Sequence, residues 1–387
     1  MPGRDPAHEG EYLKKYFDTD PRFQFVGIIG SGMSGAASHV RYNDPRNQSL
    51  KNFVVKRAIN TPARQRELQR EETLLRSLQG AMHIVQVLDI SNNPLARPGT
   101  SSLPAIAGGW VILEYLENGS VGKFIENAQE MGIEHLPNRL IWRFALCLIK
   151  AAIAMAWPGI IDRSTVASER TPTNFWQGSA ILHRDLHADN IMLADVLPDN
   201  EHRITPRLKV IDFGGATEFS MAVNSDSVME NVTVMGEIIW GLIMLNTAPL
   251  DQFGDRPLVL FRPPGPNQAT VGTQAFDLVP FSGSGSKYPW LDRDLRVLVC
   301  QLLRKDVINI PDLRELDRLA TDAVRYRDAA YYGNEIEEQD DTIQELWHEI
   351  VHWDGGGGGG GGNGDSGGSG GSDDWGYNAD EGPPFDL

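Results

Sequence analysis

Residues 181–193 read ILHRDLHADNIML, and residues 211–215, a short way downstream, read IDFGG. The first stretch places Asp185 on a loop after an apolar pair and the carboxamide of Asn190 one short step later. The second puts Asp212 on a tight glycine turn. One acid of such a set accepts the proton of an attacking hydroxyl, while a second carboxylate and an amide oxygen suit Mg²⁺ held against phosphate oxygens. The two motifs together predict phosphoryl-transfer chemistry.

Upstream, Phe23 to Ile29 reads as a strand running into GSGMSG, with glycines at 30, 32 and 35 and Ser31 between the first two. Without Cβ atoms, such a turn lets backbone amides approach a triphosphate. A dinucleotide-binding turn has the same glycine spacing but should lead into a helix, whereas Ala36 to Tyr42 reads as a return strand. A plain hairpin with glycine turns is the other reading of this motif alone. Lys51 to Lys56 continues as a third strand, and Lys56 at the end of FVVK would lie under the glycine turn, where phosphate oxygens need a point charge. A lysine at a strand end is otherwise solvated. From Thr61 to Gln79 the apolar positions Leu68, Leu75 and Leu78 share one helical face, and Glu71 falls on that face while Glu72 points about 100° away. Glu71 is therefore the expected ion-pair partner of Lys56, against the alternative of a solvated helix acid. Trp110 to Leu116 is a short apolar strand. Beyond Asn118 the helical period dominates, with one long amphipathic helix through Leu140, Phe144, Cys147, Ala151 and Ala154 and a second through Val232, Met235, Ile239 and Leu242.

The ordered set Gly30, Gly32, Gly35, Lys56, Glu71, His183, Arg184, Asp185, Asn190, Asp212, Phe213 and Gly214 resembles the eukaryotic protein kinase family over about residues 21 to 350. The resemblance implies an α+β, two-lobed protein kinase-like fold, with a small strand-rich N-lobe and a large helical C-lobe. The expected divisions are a flexible extension over 1–20, N-lobe and hinge over 21–116, C-lobe over 117–353 and a disordered tail over 354–387. It further implies ATP and Mg²⁺, with Asp185 as catalytic base, Asn190 and Asp212 as metal ligands, and Lys56, held by Glu71, on the α and β phosphates. Gly30, Ser31, Gly32 and Gly35 would cover the nucleotide. Leu113, Glu114, Tyr115 and Leu116 look like the hinge that hydrogen-bonds adenine, Ala37 and Val54 like the roof of its slot, and Met192 like the floor. His183 looks architectural, packing on Phe213.

The pattern also fails in places. The distance from Asp212 to Asn231, which stands where the family usually has an aspartate before a long helix, is short; no Ala-Pro-Glu motif appears, and Ile310 in DVINIPDL replaces the usual arginine. Glutamate and arginine would pair, and burying either alone is costly, so their joint absence reads as a remodelled lobe. The platform on which a peptide lies is what shrinks. His187 replaces the lysine usual in serine/threonine kinases, and its imidazole can donate to phosphate; it is a fourth candidate catalytic side chain beside Asp185, Lys56 and Glu71. Asp-Leu-His is also similar to the loop of aminoglycoside and choline phosphotransferases. The primary expectation is a protein serine/threonine kinase, with a small-molecule phosphotransferase of the same fold or a nucleotide-binding pseudokinase scaffold as alternatives. The resemblance implies that Arg184 would clamp a phosphorylated activation segment, and Thr217, Ser220, Ser225 and Ser227 are the candidate acceptors in the abbreviated one. Two insertions, Pro158 to Gly178 and Ala194 to Arg207, read as loops.

Composition narrows the rest. The chain has 387 residues, 41% hydrophobic and 22% charged, enough for two cored lobes. Its net charge of −17 repels phosphodiesters and anionic lipid, so neither nucleic acid nor membrane is an expected partner. The two cysteines, Cys147 and Cys300, lie in no Cys/His spacing motif, which predicts an intracellular chain, cytoplasmic or nuclear, with buried thiols and no structural metal. The N-terminal residues lack the apolar run of a signal peptide. The apolar stretch from Phe144 to Trp157, broken by Lys150, is shorter than the roughly 20 residues of a bilayer span and reads as a buried helix. Eight glycines, Gly355 to Gly362, open an acidic tail ending in Trp375, Tyr377 and Phe385 among acids, either a docking motif for a partner or a solubilising segment.

Overall fold

The first secondary-structure element lies where a loose extension was expected. Helix α1, Pro6–Phe17, sets Leu13, Tyr16 and Phe17 on one face at helical spacing, and all three are buried with Phe23, Val40, Phe53 and Val55. The polar composition of residues 1–20 hid a three-residue apolar stripe, which is enough to dock a helix when a sheet face is open to receive it. Lys14 and Lys15 in its last turn favour the helix C-terminus, and an ionic knot then fixes the exit: Arg22 bonds Asp20 at 2.8 Å and Asp44 at 3.1 Å, and Arg97 closes on Asp20 as well. The expectation of a flexible 1–20 segment is thereby corrected over residues 6–20; residues 1–5 lie outside the described residues. Truncating the fully buried ring in Phe17→Ala should lower the unfolding free energy by about 3–5 kcal/mol in urea titrations, where a dispensable extension would give no change.

These features come from a computed structural model, which describes residues 6–32, 35–45, 50–58, 61–100, 105–106, 109–173, 178–220, 226–248, 250, 259–262, 270–279, 287–305 and 310–355. Residues Met1–Trp353 form one compact unit; the tail Asp354–Leu387 is a separate one, and its glycine run beyond 355 and its terminal aromatic residues lie outside the described residues.

Strands β1 (Phe23–Gly32), β2 (Gly35–Tyr42), β3 (Asn52–Ala58) and β4 (Trp110–Glu114) form an antiparallel sheet in that order. Alternation decides which faces are buried: Phe53 and Val55 turn to α1, while Val54 and Lys56 turn to the opposite face. Between β3 and β4 runs α2, Pro62–Ser77, started by Thr61, whose hydroxyl accepts from the Arg64 amide at 3.3 Å, and by proline in its first turn. It buries Leu68, Glu71, Leu74 and Leu75.

The second lobe is helical. Helix α3 (Val121–Glu130) is capped by Ser120, whose hydroxyl accepts from the Lys123 amide at 3.0 Å. Every residue of α4 (Asn138–Ala156) is buried, so its three cations need partners inside. Arg139 reaches the Glu338 carbonyl and Asp340, Arg143 the carbonyls of Asn200 and Glu201, and Lys150 the Asp317 carboxylate at 2.8 Å and the Glu169 carbonyl at 3.0 Å. No helix among the described residues is long and apolar enough to cross a membrane. Two small antiparallel pairs follow: β5 (Ser179–Leu182) with β8 (Thr217–Ser220), and β6 (Ile191–Leu193) with β7 (Leu208–Val210). Helix α5 (Asp226–Met244) packs against α4; a β9–β10 hairpin (Val259–Phe261, Val271–Thr273) and helices α6 (Arg293–Leu302), α7 (Leu313–Tyr326) and α8 (Asp340–Val351) complete the lobe. Asn231, expected ahead of the long helix, lies inside α5. Ile310 is buried, an apolar filler where an arginine would need a counter-charge.

Candidate active site

A cavity of about 440 Å³ lies where the sheet meets the helical lobe. Its upper wall is Ile29, Gly30, Ala37 and Val54, its lower wall Met192 and Ile211, and its rim the segment from Leu113 to Glu117. Apolar surfaces above and below with a strip of main chain at the side form a slot for a flat heteroaromatic ring. The Glu114 carboxylate is committed elsewhere, to Lys209 Nζ at 2.5 Å and the Gln86 amide at 2.8 Å, so Glu114 offers the slot its main chain. Leu116 also lines the cavity. Ser31, Gly32 and Gly35 run along the β1–β2 arm outside this lining. At Gly35 a Cβ would come within 2.2 Å of the Arg57 carbonyl, so that glycine is required by close strand packing.

Charge gathers at the inner end. Lys56 Nζ lies 2.7 Å from Glu71 Oε1 and 2.7 Å from Asp212 Oδ1. Glu72, on the other side of α2, bonds Arg76 at the exposed surface. Burial opposes charge on Lys56, but the two carboxylates outweigh it and hold its pKa above the ordinary lysine value. Burial likewise pushes Asp212 upward, and the Lys56 ammonium overrides this to keep the carboxyl below its usual range. The Asp212 backbone is left-handed, φ 58°, and its side chain also accepts from the Gly214 amide at 3.2 Å. An aspartate tolerates this conformation when its carboxylate is tied back to the turn in this way.

The loop between β5 and β6 is anchored from below. Asn231 Oδ1 accepts from the His183 amide at 3.1 Å, and its Nδ2 donates to the Ile181 carbonyl at 2.8 Å. A neutral carboxamide therefore clamps both sides of the loop's start. His183 packs edge-on against Phe213, centroids 4.7 Å apart, and its Nε2 donates to the Ile211 carbonyl at 2.9 Å. Burial keeps this histidine neutral by lowering its pKa. Arg184 takes φ 67°, and the chain turns so that the Asp185 side chain stands largely in solvent, 63% exposed. Asn190 Nδ2 donates to the Asp185 carbonyl at 2.7 Å and lies 3.0 Å from His187 Nε2. His187 sits 3.9 Å from Asp185 Oδ1, and its pKa is raised chiefly by Asp189, against burial, with help from Asp185.

The structure thus brings Glu71 and Asp212 both onto Lys56 and holds Asp185, His187 and Asn190 on one neighbouring loop. The two groups adjoin: a Cβ on Gly215 would stand 3.7 Å from Asp185 Cβ, and one on Gly214 3.8 Å from Glu71 Oε2. Sequence reasoning passed over Asp189, which lines the cavity and is 3.2 Å from the Ser120 hydroxyl. In the fold Gly122 makes room for it, since any Cβ there would fall 2.0 Å from Asp189 Oδ1. Among the four hydroxyls considered for phosphorylation, Thr217 and Ser220 lie in β8, Ser225 is outside the described residues, and nothing is described of the Ser227 side chain.

A strand-rich lobe over a helical one, with a lysine-carboxylate cluster in the cleft between them, defines a kinase-type fold. The chain belongs to the protein tyrosine and serine/threonine kinase family, whose family model matches residues 23–236. No curated protein matches it. Phosphotransferase chemistry follows from that membership at the level of the class.

Proposed function

We propose that this chain transfers the γ-phosphoryl group of MgATP to serine or threonine hydroxyls of a protein. The observation that carries the reading is the meeting of Lys56, Glu71 and Asp212 at the inner end of an apolar slot. In this reading adenine enters the slot against the main chain of Glu114 and Leu116, and Lys56, oriented by Glu71, binds the α and β phosphates. Asp185 accepts the proton of the acceptor hydroxyl as its oxygen bonds the γ phosphorus and the bond to the β-phosphate oxygen breaks, leaving ADP. His187 donates to the transferring group.

Asp212 and Asn190 suit a hard divalent cation: the first is held ionised by Lys56, and the second spends its NH₂ on the Asp185 carbonyl, which turns Oδ1 the other way. A Mg²⁺ ion held by these two side chains would supply charge neutralisation at the phosphates. The remaining work is done by side chains: Lys56 positions, Asp185 takes the proton, and the Asn231 clamp keeps the loop in register.

The short segment from β8 to α5 favours a second reading, in which the acceptor is a small hydroxyl or amine compound. Incubating a mixture of proteins and small hydroxyl and amine metabolites with γ-labelled ATP and the full chain, then separating the small molecules from the protein and acid-hydrolysing the protein, distinguishes the two. Labelled phosphoserine and phosphothreonine are expected. Label confined to metabolites moves the assignment to the second reading, label on tyrosine alone removes the serine/threonine specificity, and stabilisation by ATP without any turnover leaves only a nucleotide-binding scaffold.

A further inference from the structure

Away from the cleft, three distant segments bring soft and borderline ligands into one buried place. His83 follows α2, Cys147 is in the middle of α4, and His202 lies in the 194–207 insertion between β6 and β7; they are 0%, 1% and 1% exposed. Their ligand atoms all lie within 4.8 Å of one another. Each imidazole rests its other nitrogen on a carboxylate: His83 Nδ1 is 2.5 Å from Glu169 Oε2, and His202 Nδ1 is 3.0 Å from Asp199 Oδ1. A carboxylate only accepts, so both Nδ1 atoms carry hydrogen, and in the neutral rings both Nε2 atoms present lone pairs. Those two Nε2 atoms face each other at 3.1 Å. Two lone pairs at that distance repel, so the pair requires a shared positive charge, a metal ion or a proton on one Nε2, and the Cys147 sulfur within 4.8 Å of both adds a third ligand that a proton would not use. A carboxylate behind each histidine is the arrangement that fixes the tautomer of metal-ligating imidazoles.

We propose that His83 Nε2, Cys147 Sγ and His202 Nε2 bind one zinc ion, with Glu169 and Asp199 as positioning residues for the two rings. The donor set is that of zinc: borderline nitrogen and soft sulfur among buried residues, with the fourth tetrahedral position left to one enclosed water molecule. The thiol gives up its proton to solvent on binding. The resulting thiolate and the two carboxylates behind the rings offset the ionic charge. Glu169 belongs to the 158–178 insertion and His202 and Asp199 to the 194–207 insertion, so both of the chain's loop-like additions converge on this point. The ion would bind them to α4 and to the segment linking α2 to β4. From there the connection to the cleft is short: the Val210 amide donates to the His83 carbonyl at 2.9 Å, and Val210 leads directly to the turn of Asp212.

The test uses the full chain, purified without a polyhistidine tag or chelator. Elemental analysis should find about one zinc per chain. Replacing it with Co²⁺ should give a thiolate-to-cobalt charge-transfer band in the near ultraviolet. That band should vanish in Cys147→Ser and persist in Cys300→Ser and in Asp212→Asn, which lacks the cleft's candidate magnesium carboxylate. Should Cys147→Ser fail to fold, X-ray absorption of the wild-type zinc protein decides, with one sulfur at about 2.3 Å and two nitrogens at about 2.0–2.1 Å expected in the shell. Wild-type protein that is isolated without metal and yields no charge-transfer band with Co²⁺, or a shell of oxygen alone, overturns the site and leaves a hydrogen-bonded His-Cys-His cluster sharing a proton.

Discussion

In Asp185→Ala, turnover should fall by about 10²–10⁴-fold while ATP should still stabilise the protein against heat. That size is what the proposed role as general base implies, because the hydroxyl would then have to ionise without a positioned acceptor. Two features make this variant a clean probe. The Asp185 side chain is mostly exposed, so its removal opens no cavity in the core. The loop is meanwhile held by backbone groups: the Asp185 carbonyl keeps its bond from Asn190, and Asn231 keeps its grip on His183 and Ile181. ATP affinity should change little, since Asp185 does not line the slot. Steady-state kinetics and a thermal-shift titration on the same preparation check both halves. Unchanged turnover would remove Asp185 from the mechanism.

A second large effect is expected in Lys56→Met. It leaves the Glu71 carboxylate, 2% exposed, without its counter-charge, and loss of one member of such a pair costs about 3–5 kcal/mol of stability as well as activity. Asp212 suffers less because 45% of its side chain reaches solvent. The double variant Lys56→Met with Glu71→Leu replaces ion pair by hydrocarbon and should recover most of the stability, yet stay inactive. Urea unfolding of the wild type, both single variants and the double variant measures the coupling between the two side chains. A double variant no more stable than Lys56→Met would show that the carboxylate left behind is not the source of the loss.

Residues near each other along the chain were the easy part to read. The period of Leu68, Leu75 and Leu78 selected Glu71 over Glu72 without coordinates, because helical geometry alone sends the two acids to different faces. The two-lobed α+β architecture was legible for the same reason, as strand alternation gives way to a 3.6-residue period after the hinge. What escaped depends on distance along the chain. Asn231 looked like a lost aspartate, and its two bonds to the loop appear only when α5 passes beneath β5. Cys147 was rightly expected to be buried, but its neighbours His83 and His202 come from elsewhere in the sequence and share no spacing motif with it. Helix α1 was missed because composition was weighed over a stripe of only three apolar residues.

That helix separates two boundaries that are easily confused. The stretch matched by the family begins at Phe23, yet the aromatic floor formed by Phe23, Phe53 and Tyr42 is covered by side chains that precede it. An expression fragment trimmed to the matched stretch would present that floor to water and favour aggregation. The stretch shared with the family and the compact packed unit therefore have different edges, and the second takes in residues that similarity alone would discard.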